Sequence, residues 1–163
     1  MATGPVVIGY DGSPAAQRAV QQTLALVQPR PVLVVTVWEP GRTFELMTVP
    51  TGSLLPTAVV DIRAALELDE KLYENATRTA EQGADLARRA GLEAQALVVA
   101  DELTVADTLI RLAVERSSPG IAVGWHGHSA LGELLLGSTT QRLLRRAPCP
   151  VVVVRHEPEQ AST

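Results

Sequence analysis

Five short stretches of almost continuous apolar residues recur along the chain, separated by longer stretches with a helical pattern. Apolar runs of this length, without a polar residue at every second position, are typical of strands buried on both faces of a parallel sheet. The second and fifth runs, PVLVVTVW and PVVVVR, show the pattern most clearly. The five predicted strands are Pro5–Tyr10, Pro31–Trp38, Glu93–Ala100, Gly120–Val123 and Pro150–Arg155.

Between these runs, apolar residues return every three or four positions, which predicts amphipathic helices. Ser13 and Pro14 suit the start of the first helix, because serine caps a helix and proline tolerates its first position. Thr104 and Asp107 resemble a capping box at the start of the third. The later helices are predicted over 61–90, 104–116 and 138–147, and 39–60 reads as an irregular connection rich in proline and glycine.

Alternating strands and helices predict an α/β fold, a single doubly wound, five-stranded parallel sheet with helices on both faces. We expect the strand order 3-2-1-4-5, in one domain over residues 1–156 followed by a flexible tail over 157–163. In such sheets ligands bind beyond the carboxyl ends of the strands, where the strand order reverses. Strands 1 and 4 flank that point. Asp11 follows strand 1, and Gly124 follows strand 4.

Composition narrows the classes of partner. The net charge of −4 argues against a nucleic-acid partner, which would require a basic face. No apolar run is long enough to cross a bilayer, and no secretory signal is recognisable, so we predict no membrane association and a cytoplasmic location. Cys149 is the one cysteine, which excludes a disulfide within the chain.

Glycines are concentrated in GWHGHSALGELLLGS, between the fourth strand and the fourth helix. Gly124, Gly127 and Gly137, followed by Ser138, give the spacing G-x2-G-x9-G-S. Glycines let backbone amides approach an anion and adopt unusual φ values, and a helix start suits phosphate. A flexible connection without a ligand is the alternative explanation of the same glycines.

The chain lacks the Gly-Lys-Ser/Thr of a P-loop, and its only lysine, Lys71, lies within the second predicted helix. Phosphate would therefore be neutralised by amides, by the hydroxyls of Ser138, Thr139 or Thr140, and by Mg²⁺ or Arg142. Without a P-loop lysine or an evident base, fast phosphoryl transfer is not expected.

Asp11 has two interpretations, as an acceptor for a ribose hydroxyl or as a helix cap beside Ser13. His126 and His128 have no accompanying cysteine or carboxylate cluster, so we predict neither a metal site nor catalytic residues. The basic residues of the last helix suit its dipole, with polyanion binding as the alternative. They are Arg142, Arg145 and Arg146.

Two stretches carry a resemblance to a known family, VVIGYDGSPAAQRAV near the start and VGWHGHSALGELLLGSTTQRLLRRAPCPVVVVR near the end. From about Val6 to Arg155 the chain resembles a universal stress protein domain of the ATP-binding type, whose signature is G-x2-G-x9-G-S/T. The middle of the chain, Glu39 to Glu81, shows little similarity. Trp125 and His126 depart from the small, polar or basic residues that are common after the first glycine.

The resemblance implies a role for individual residues. Asp11 would contact the ribose, and Val37 would meet adenine through its backbone. Val123 and Gly124 would line the nucleotide. The phosphates would be held by Gly127, Gly137, Ser138 and Thr139.

The resemblance implies an ATP-binding stress-response or signalling module with little or no turnover. A slow ATPase or phosphotransferase on the same site is one alternative, and a nucleotide-free interaction protein is another. The apolar edge strand Val151–Val154 also predicts a homodimer, since an exposed edge of this kind invites strand pairing.

Overall fold

The computed structural model describes residues 3–26, 30–40, 62–101, 103–125 and 136–155, where strands and helices alternate. The strands are β1 (Val6–Gly9), β2 (Val32–Trp38), β3 (Ala94–Ala100), β4 (Ile121–Gly124) and β5 (Val151–Val154). The helices are α1 (Pro14–Leu26), α2 (Ile62–Arg89), α3 (Val105–Glu115) and α4 (Ser138–Arg146).

All five strands are parallel, and their order in the sheet is β3-β2-β1-β4-β5, which confirms the predicted topology. The registers show that β1 stops short of its neighbour. The last residue of β1 pairs as Gly9↔Val35, whereas β2 continues beside β3 to the pair Trp38↔Ala100. This step leaves a gap above the end of β1, at the edge where ligands bind in such sheets.

Apolar side chains form a core on each face of the sheet, which confirms that helices cover both faces. On the face of α1 and α2 the core includes Ile8 and Val34. On the face of α3 and α4 it includes Val7, Leu109 and Leu143. The continuous apolar runs arise because each strand supplies residues to both cores.

Only part of the apolar stripe of α2 is buried. Ala80, Ala84 and Ala87, in its carboxyl-terminal half, are fully buried. Leu68 and Leu72 were predicted on the same stripe, but they remain 40% and 37% exposed. The periodicity of a helix indicates which residues share a face, but it does not indicate how far the sheet extends beneath that face.

Several predictions fall outside the described residues, namely most of the connection over 39–60, the tail over 157–163, and Gly127 with all three histidines. In the ranges that the structure does describe, no helix combines the length and apolar character needed to cross a membrane. Nor do three or more His, Cys, Asp or Glu side chains come together as a metal site in those ranges.

Candidate functional site

A cleft of about 300 Å³ lies above the carboxyl ends of β1, β2 and β4, between the starts of α3 and α4. It occupies the gap left by the early end of β1. We call it the cleft throughout. Its described lining is Gly9, Tyr10, Asp11, Ala16, Val35, Thr36, Val37, Val105, Leu109, Val123, Gly124, Gly137, Ser138, Thr139 and Thr140.

The turn after β1 positions Asp11 in the cleft. Its Oδ1 accepts a hydrogen bond from the Ser13 N–H at 3.0 Å, and the Ser13 hydroxyl oxygen in turn accepts from the Ala16 N–H at 3.1 Å. Gly12 between them has a φ of +80°, a conformation that favours glycine. Ser13 is therefore the helix cap, while Asp11 both holds the turn and lines the cleft, so its two interpretations are compatible.

The backbone of β2 borders the cleft where β1 has ended. The Tyr10 N–H donates to the Val35 carbonyl at 2.8 Å, and the Thr36 hydroxyl donates to the Tyr10 carbonyl at 2.8 Å. Backbone groups of a parallel strand alternate in direction, so Val37 presents its N–H and C=O to the same side as Val35. Because β1 has ended there, the Val37 groups face the cleft.

One wall of the cleft is apolar. Val105 and Leu109 of α3 and Val123 of β4 supply it, and Leu109 and Val123 are at most 5% exposed. The Tyr10 phenol points into the opposite core, where a Cβ on Gly83 would come within 2.7 Å of its ring. Burial, and then the negative charge of Asp11, raise the pKa of Tyr10, so the phenol stays neutral. The apolar wall of Val105, Leu109 and Val123 suits a flat apolar group such as a nucleobase.

The start of α4 borders the cleft from the other side. Gly137 is the residue before the helix, and no side chain caps the first turn, which also has no acidic residue. The first amides of a helix have no partner within the helix and carry its partial positive charge. Ser138 and Thr139, which are exposed and half-buried, thus present donors to the cleft.

Two other groups expected to meet an anion have structural partners instead. The Gly137 N–H donates to the Trp125 carbonyl at 3.2 Å, and the Thr140 hydroxyl donates to the Gly124 carbonyl at 3.1 Å. The φ of Gly137 is −57°, so the expectation of an unusual backbone angle does not hold there. These bonds fasten the start of α4 to the end of β4.

Gly124 is required by packing as well as by its place in the cleft. A Cβ at this position would lie 2.8 Å from both the Cβ and the carbonyl carbon of Ala15 in α1. Real side chains do not approach a backbone that closely, so this glycine lets α1 pack directly on β4. The first glycine of the pattern has a structural role that its spacing does not reveal.

A second concavity, of about 520 Å³, lies between α3 and α4, and we call it the α3–α4 groove. Asp107 pairs there with two arginines, with Oδ2 3.0 Å from Arg142 and Oδ1 2.5 Å from Arg146. The hydrogen bond from the Thr104 hydroxyl, then the charges of the two arginines, lower the pKa of Asp107. The groove is lined by Leu103, Thr104, Asp107, Thr108, Ile110, Arg111, Arg142 and Arg146.

These contacts show how the remaining predictions compare with the structure. Thr104 is confirmed as the cap of α3, because the Asp107 N–H donates to Thr104 Oγ1 at 3.1 Å, while the Asp107 carboxylate accepts from the Thr104 hydroxyl at 2.7 Å. Arg142, a predicted phosphate neutraliser, pairs with Asp107 instead. The structure brings seven predicted residues to the cleft and leaves Gly127 outside the described ranges. The seven are Asp11, Val37, Val123, Gly124, Gly137, Ser138 and Thr139.

Sequence reasoning missed the contribution of α3. Val105 and Leu109 lie one helical turn apart and line the cleft, although the pattern of this helix indicated only a core-facing stripe. The signal that could have identified them is their position in the first turns of the helix after strand 3. In a parallel sheet, every helix that follows a strand starts at the same edge, the one formed by the carboxyl ends of the strands.

An all-parallel doubly wound sheet with a polar and apolar cleft at its switch point defines a class of ligand-binding α/β proteins. The profile of the Universal stress protein family matches residues 3–155 of the sequence. The chain therefore belongs to the universal stress protein family.

Two curated relatives illustrate the range of chain lengths. A universal stress protein of Mycolicibacterium smegmatis is 32% identical over 162 residues, which cover 96% of this chain and 49% of the relative. A Thermus aquaticus universal stress protein is 26% identical over 156 residues, covering 92% of this chain and 97% of that one. The chain thus spans about half the length of the mycobacterial relatives it matches.

Solved structures share the fold at low sequence identity. The protein MJ0577 matches with a TM-score of 0.75 at 20% identity, over 98% of this chain and 100% of that one. Three other matching proteins contain an adenine nucleotide. They are a universal stress protein in complex with cAMP, one from Archaeoglobus fulgidus in complex with dAMP, and one from Arabidopsis thaliana with AMP bound, with TM-scores of 0.59, 0.60 and 0.58.

Proposed function

We propose that this chain binds ATP in the cleft and acts in the cytoplasm as a nucleotide-dependent stress-response or signalling module with little turnover. The observation that carries the proposal is the arrangement of the cleft. An apolar wall and a free stretch of β2 backbone lie at one end, and the uncapped start of α4 lies at the other. One end suits a base, and the other suits phosphate.

The adenosine half of the proposal rests on three groups. The N–H and C=O of Val37 offer a donor and an acceptor side by side, as the Watson–Crick edge of adenine requires. Val105 and Leu109 provide an apolar surface for the ring. The Asp11 carboxylate accepts hydrogen bonds, which suits ribose hydroxyls, as acidic residues do in other doubly wound folds. The named cAMP, dAMP and AMP complexes of relatives support an adenine ligand.

The phosphate half rests on the start of α4. The amides and hydroxyls of Ser138 and Thr139 are donors, and the helix dipole favours negative charge there. We propose that Gly124, Gly127 and Gly137 allow the chain to come close to the phosphates, with Mg²⁺ as a further counterion.

Little turnover is proposed because the parts needed for fast phosphoryl transfer are missing from the sequence. Lys71 is the only lysine of the chain, and it is exposed on α2. Positioned cations and a group that orients the nucleophile supply most of the rate in phosphoryl transfer. A slow ATPase or phosphotransferase therefore remains the alternative, and a nucleotide-free interaction protein is the second one.

Nucleotide content and phosphate release test these functions together. The purified chain is denatured, and its supernatant is examined for adenine nucleotide by mass spectrometry. Stripped protein is then titrated with ATP by calorimetry, and phosphate release is followed with and without Mg²⁺. Bound or titratable ATP with negligible release is expected. Rapid release would favour the enzyme, and neither binding nor release would favour the interaction protein.

We also propose a homodimer through β5, which lies at the edge of the sheet and pairs on one side with β4. The Ile121 N–H donates to the Pro150 carbonyl, and the Trp125 N–H donates to the Val154 carbonyl. Even-numbered residues of β5 therefore face β4, so Val151 and Val153 present their backbone groups to the open edge. Exposed apolar edges of this kind favour pairing with a second strand.

Val153→Pro tests the dimer without removing a bond to β4, because the lost N–H faces the open edge. Sedimentation equilibrium should show a wild-type dimer and a monomeric proline variant, while Val153→Thr, which keeps its N–H, stays dimeric. A wild type that is monomeric at tens of micromolar, or a dimeric proline variant, would place the contact elsewhere.

A further inference from the structure

Trp125 and Arg155 form a stacked pair beside the cleft. The guanidinium carbon of Arg155 lies 4.0 Å from the centroid of the Trp125 ring, within the range of a cation–π contact. The two residues follow the paired ends of neighbouring strands, because β4 and β5 are in register to Gly124↔Val154. The Trp125 N–H donates to the Val154 carbonyl at 2.7 Å, which extends this pairing by one step.

The stack is connected to the start of α4. The Trp125 carbonyl accepts a hydrogen bond from the Gly137 N–H, and Gly137 lines the cleft directly before Ser138. Val151 and Val153 pack against the core on the α3 and α4 face. Because side chains alternate along a strand, Arg155 continues toward that same face. Arg155 thus extends on the face of the sheet that α4 covers, with its guanidinium stacked on Trp125.

The start of α4 has a partial positive charge that no acidic side chain of its first turn offsets. A helix start is partly positive, and acidic side chains are the ones that stabilise it. The first turn of α4 has no acidic residue, and Gly137 provides no side-chain cap. Arg155 adds a positive charge on the face of the sheet that α4 covers. An anion between the helix start and this guanidinium would be stabilised by both.

The other arginines of α4 do not fill this role. Arg142 and Arg146 are paired with Asp107 in the α3–α4 groove, and Arg145 lies in the last turn of the helix. The described lining of the cleft contains no lysine or arginine. Among the described arginines of α4 and of the end of β5, Arg155, stacked on Trp125, is the one left as a candidate cation for the end of the cleft where α4 begins.

The geometry points to Arg155 as a specificity-determining residue that contacts the terminal phosphates and makes the cleft favour ATP and ADP over AMP and adenosine. This inference rests on the proposed function. A guanidinium matches phosphate oxygens with two parallel hydrogen bonds, and charge-assisted bonds of this kind are strong. The preference for phosphorylated nucleotides then comes from a residue outside the glycine pattern.

The test compares Arg155→Gln with wild type in calorimetric titrations with ATP, ADP, AMP and adenosine. Arg116→Gln is the matched control, because it removes the same charge from an exposed position at the end of α3. We expect Arg155→Gln to weaken ATP binding by about ten- to a hundredfold, since a hydrogen bond to a charged group is lost. Adenosine affinity should not change, and Arg116→Gln should bind all four ligands as wild type does.

The outcomes separate the inference from the function on which it rests. A wild type that binds neither ATP nor adenosine overturns the proposed function and this inference with it. ATP affinity that is equal in wild type and Arg155→Gln overturns the inference alone. Equal losses for ATP and adenosine also overturn it, because they indicate a structural role. Arg155→Lys, which keeps the charge but not the paired hydrogen bonds, should retain an intermediate preference for ATP.

Discussion

The cleft and the α3–α4 groove show two opposite uses of charge within one small molecule. The groove is the larger, at about 520 Å³ against about 300 Å³, but its arginines are already paired, Arg142 and Arg146 with Asp107 and Arg111 with Glu115. The cleft combines an apolar wall with backbone groups, hydroxyls and the Asp11 carboxylate, and the first turn of α4 borders it. By volume, the groove is the better candidate for a ligand site. By the availability of polar groups, the cleft is the better candidate. The second criterion is the better guide to a ligand site.

The largest expected effect comes from placing a negative charge at the start of α4. Gly137→Asp should weaken ATP binding by more than about a hundredfold, because like charges in contact cost several kcal/mol. Its φ of −57° accommodates any residue, and aspartate is a good helix cap, so the thermal midpoint should hold or rise. Calorimetry and thermal unfolding measure the two effects.

Gly137→Asn is the matched control, since it caps the helix without the charge. Asparagine should lose much less ATP affinity than aspartate. Equal losses of ATP affinity in the two variants would mean that added bulk, and not charge, weakens binding. The contrast between the cleft and the groove in their use of charge would then not hold.

Removing the carboxylate of the cleft should have the next largest effect. Asp11→Ala should weaken ATP binding by about ten- to a hundredfold, as a hydrogen bond to a charged group is lost. Asp11→Asn keeps an oxygen that can accept from the Ser13 N–H, so it separates the turn from the ribose contact. Unchanged affinity in a folded Asp11→Ala protein would exclude Asp11 from the site.

Adding one methyl group at Gly124 should affect folding first. The new Cβ would lie 2.8 Å from Ala15, and overpacking of this kind costs about 1–3 kcal/mol in the free energy of unfolding. Chemical denaturation measures the loss, and Gly137→Ala, where φ suits any residue, should show little of it. If Gly124→Ala were as stable as wild type, α1 would not pack on β4 as described.

The smallest effect on ATP affinity is expected from a substitution in the groove. Asp107→Asn should leave ATP affinity unchanged but alter how stability depends on pH. The lowered pKa of Asp107 means that its contribution is present above the ordinary aspartate pKa of about 3.9 and is lost as pH falls through the folded-state value. The difference in denaturation midpoint from wild type should therefore shrink in acid. A large loss of ATP binding would show that the two concavities act together.

Most of the fold could be predicted from the sequence, because in doubly wound sheets the local pattern of each segment indicates its layer. Continuous apolar runs place strands between two helical layers, and this rule gave most boundaries within two residues. The strand order was the one expected of a doubly wound fold. The first strand was predicted over Pro5–Tyr10 and spans Val6–Gly9. The exposure of Leu68 and Leu72 was missed, because the length of a helix is local while the extent of the sheet beneath it is not.

The candidate site could be predicted only in part from the sequence. Asp11 and the glycines follow strand ends, so their position could be inferred from topology. The pairing of Arg142 with Asp107 joins residues 35 positions apart, and the engagement of the Thr140 hydroxyl by Gly124 joins residues 16 apart. Contacts of this kind depend on how helices dock, which no local pattern encodes.

The two hydrogen bonds that fasten α4 to β4 have a consequence for the cost of ligand capture. Gly137 and Thr140 both donate to carbonyls at the end of β4, so the helix start is held against the strand end. The amides at the start of α4 take up their positions when the chain folds. An incoming ligand meets donors already aimed at it and loses little further entropy in arranging them. Under the proposed function, the scaffold thus positions these donors before the nucleotide binds.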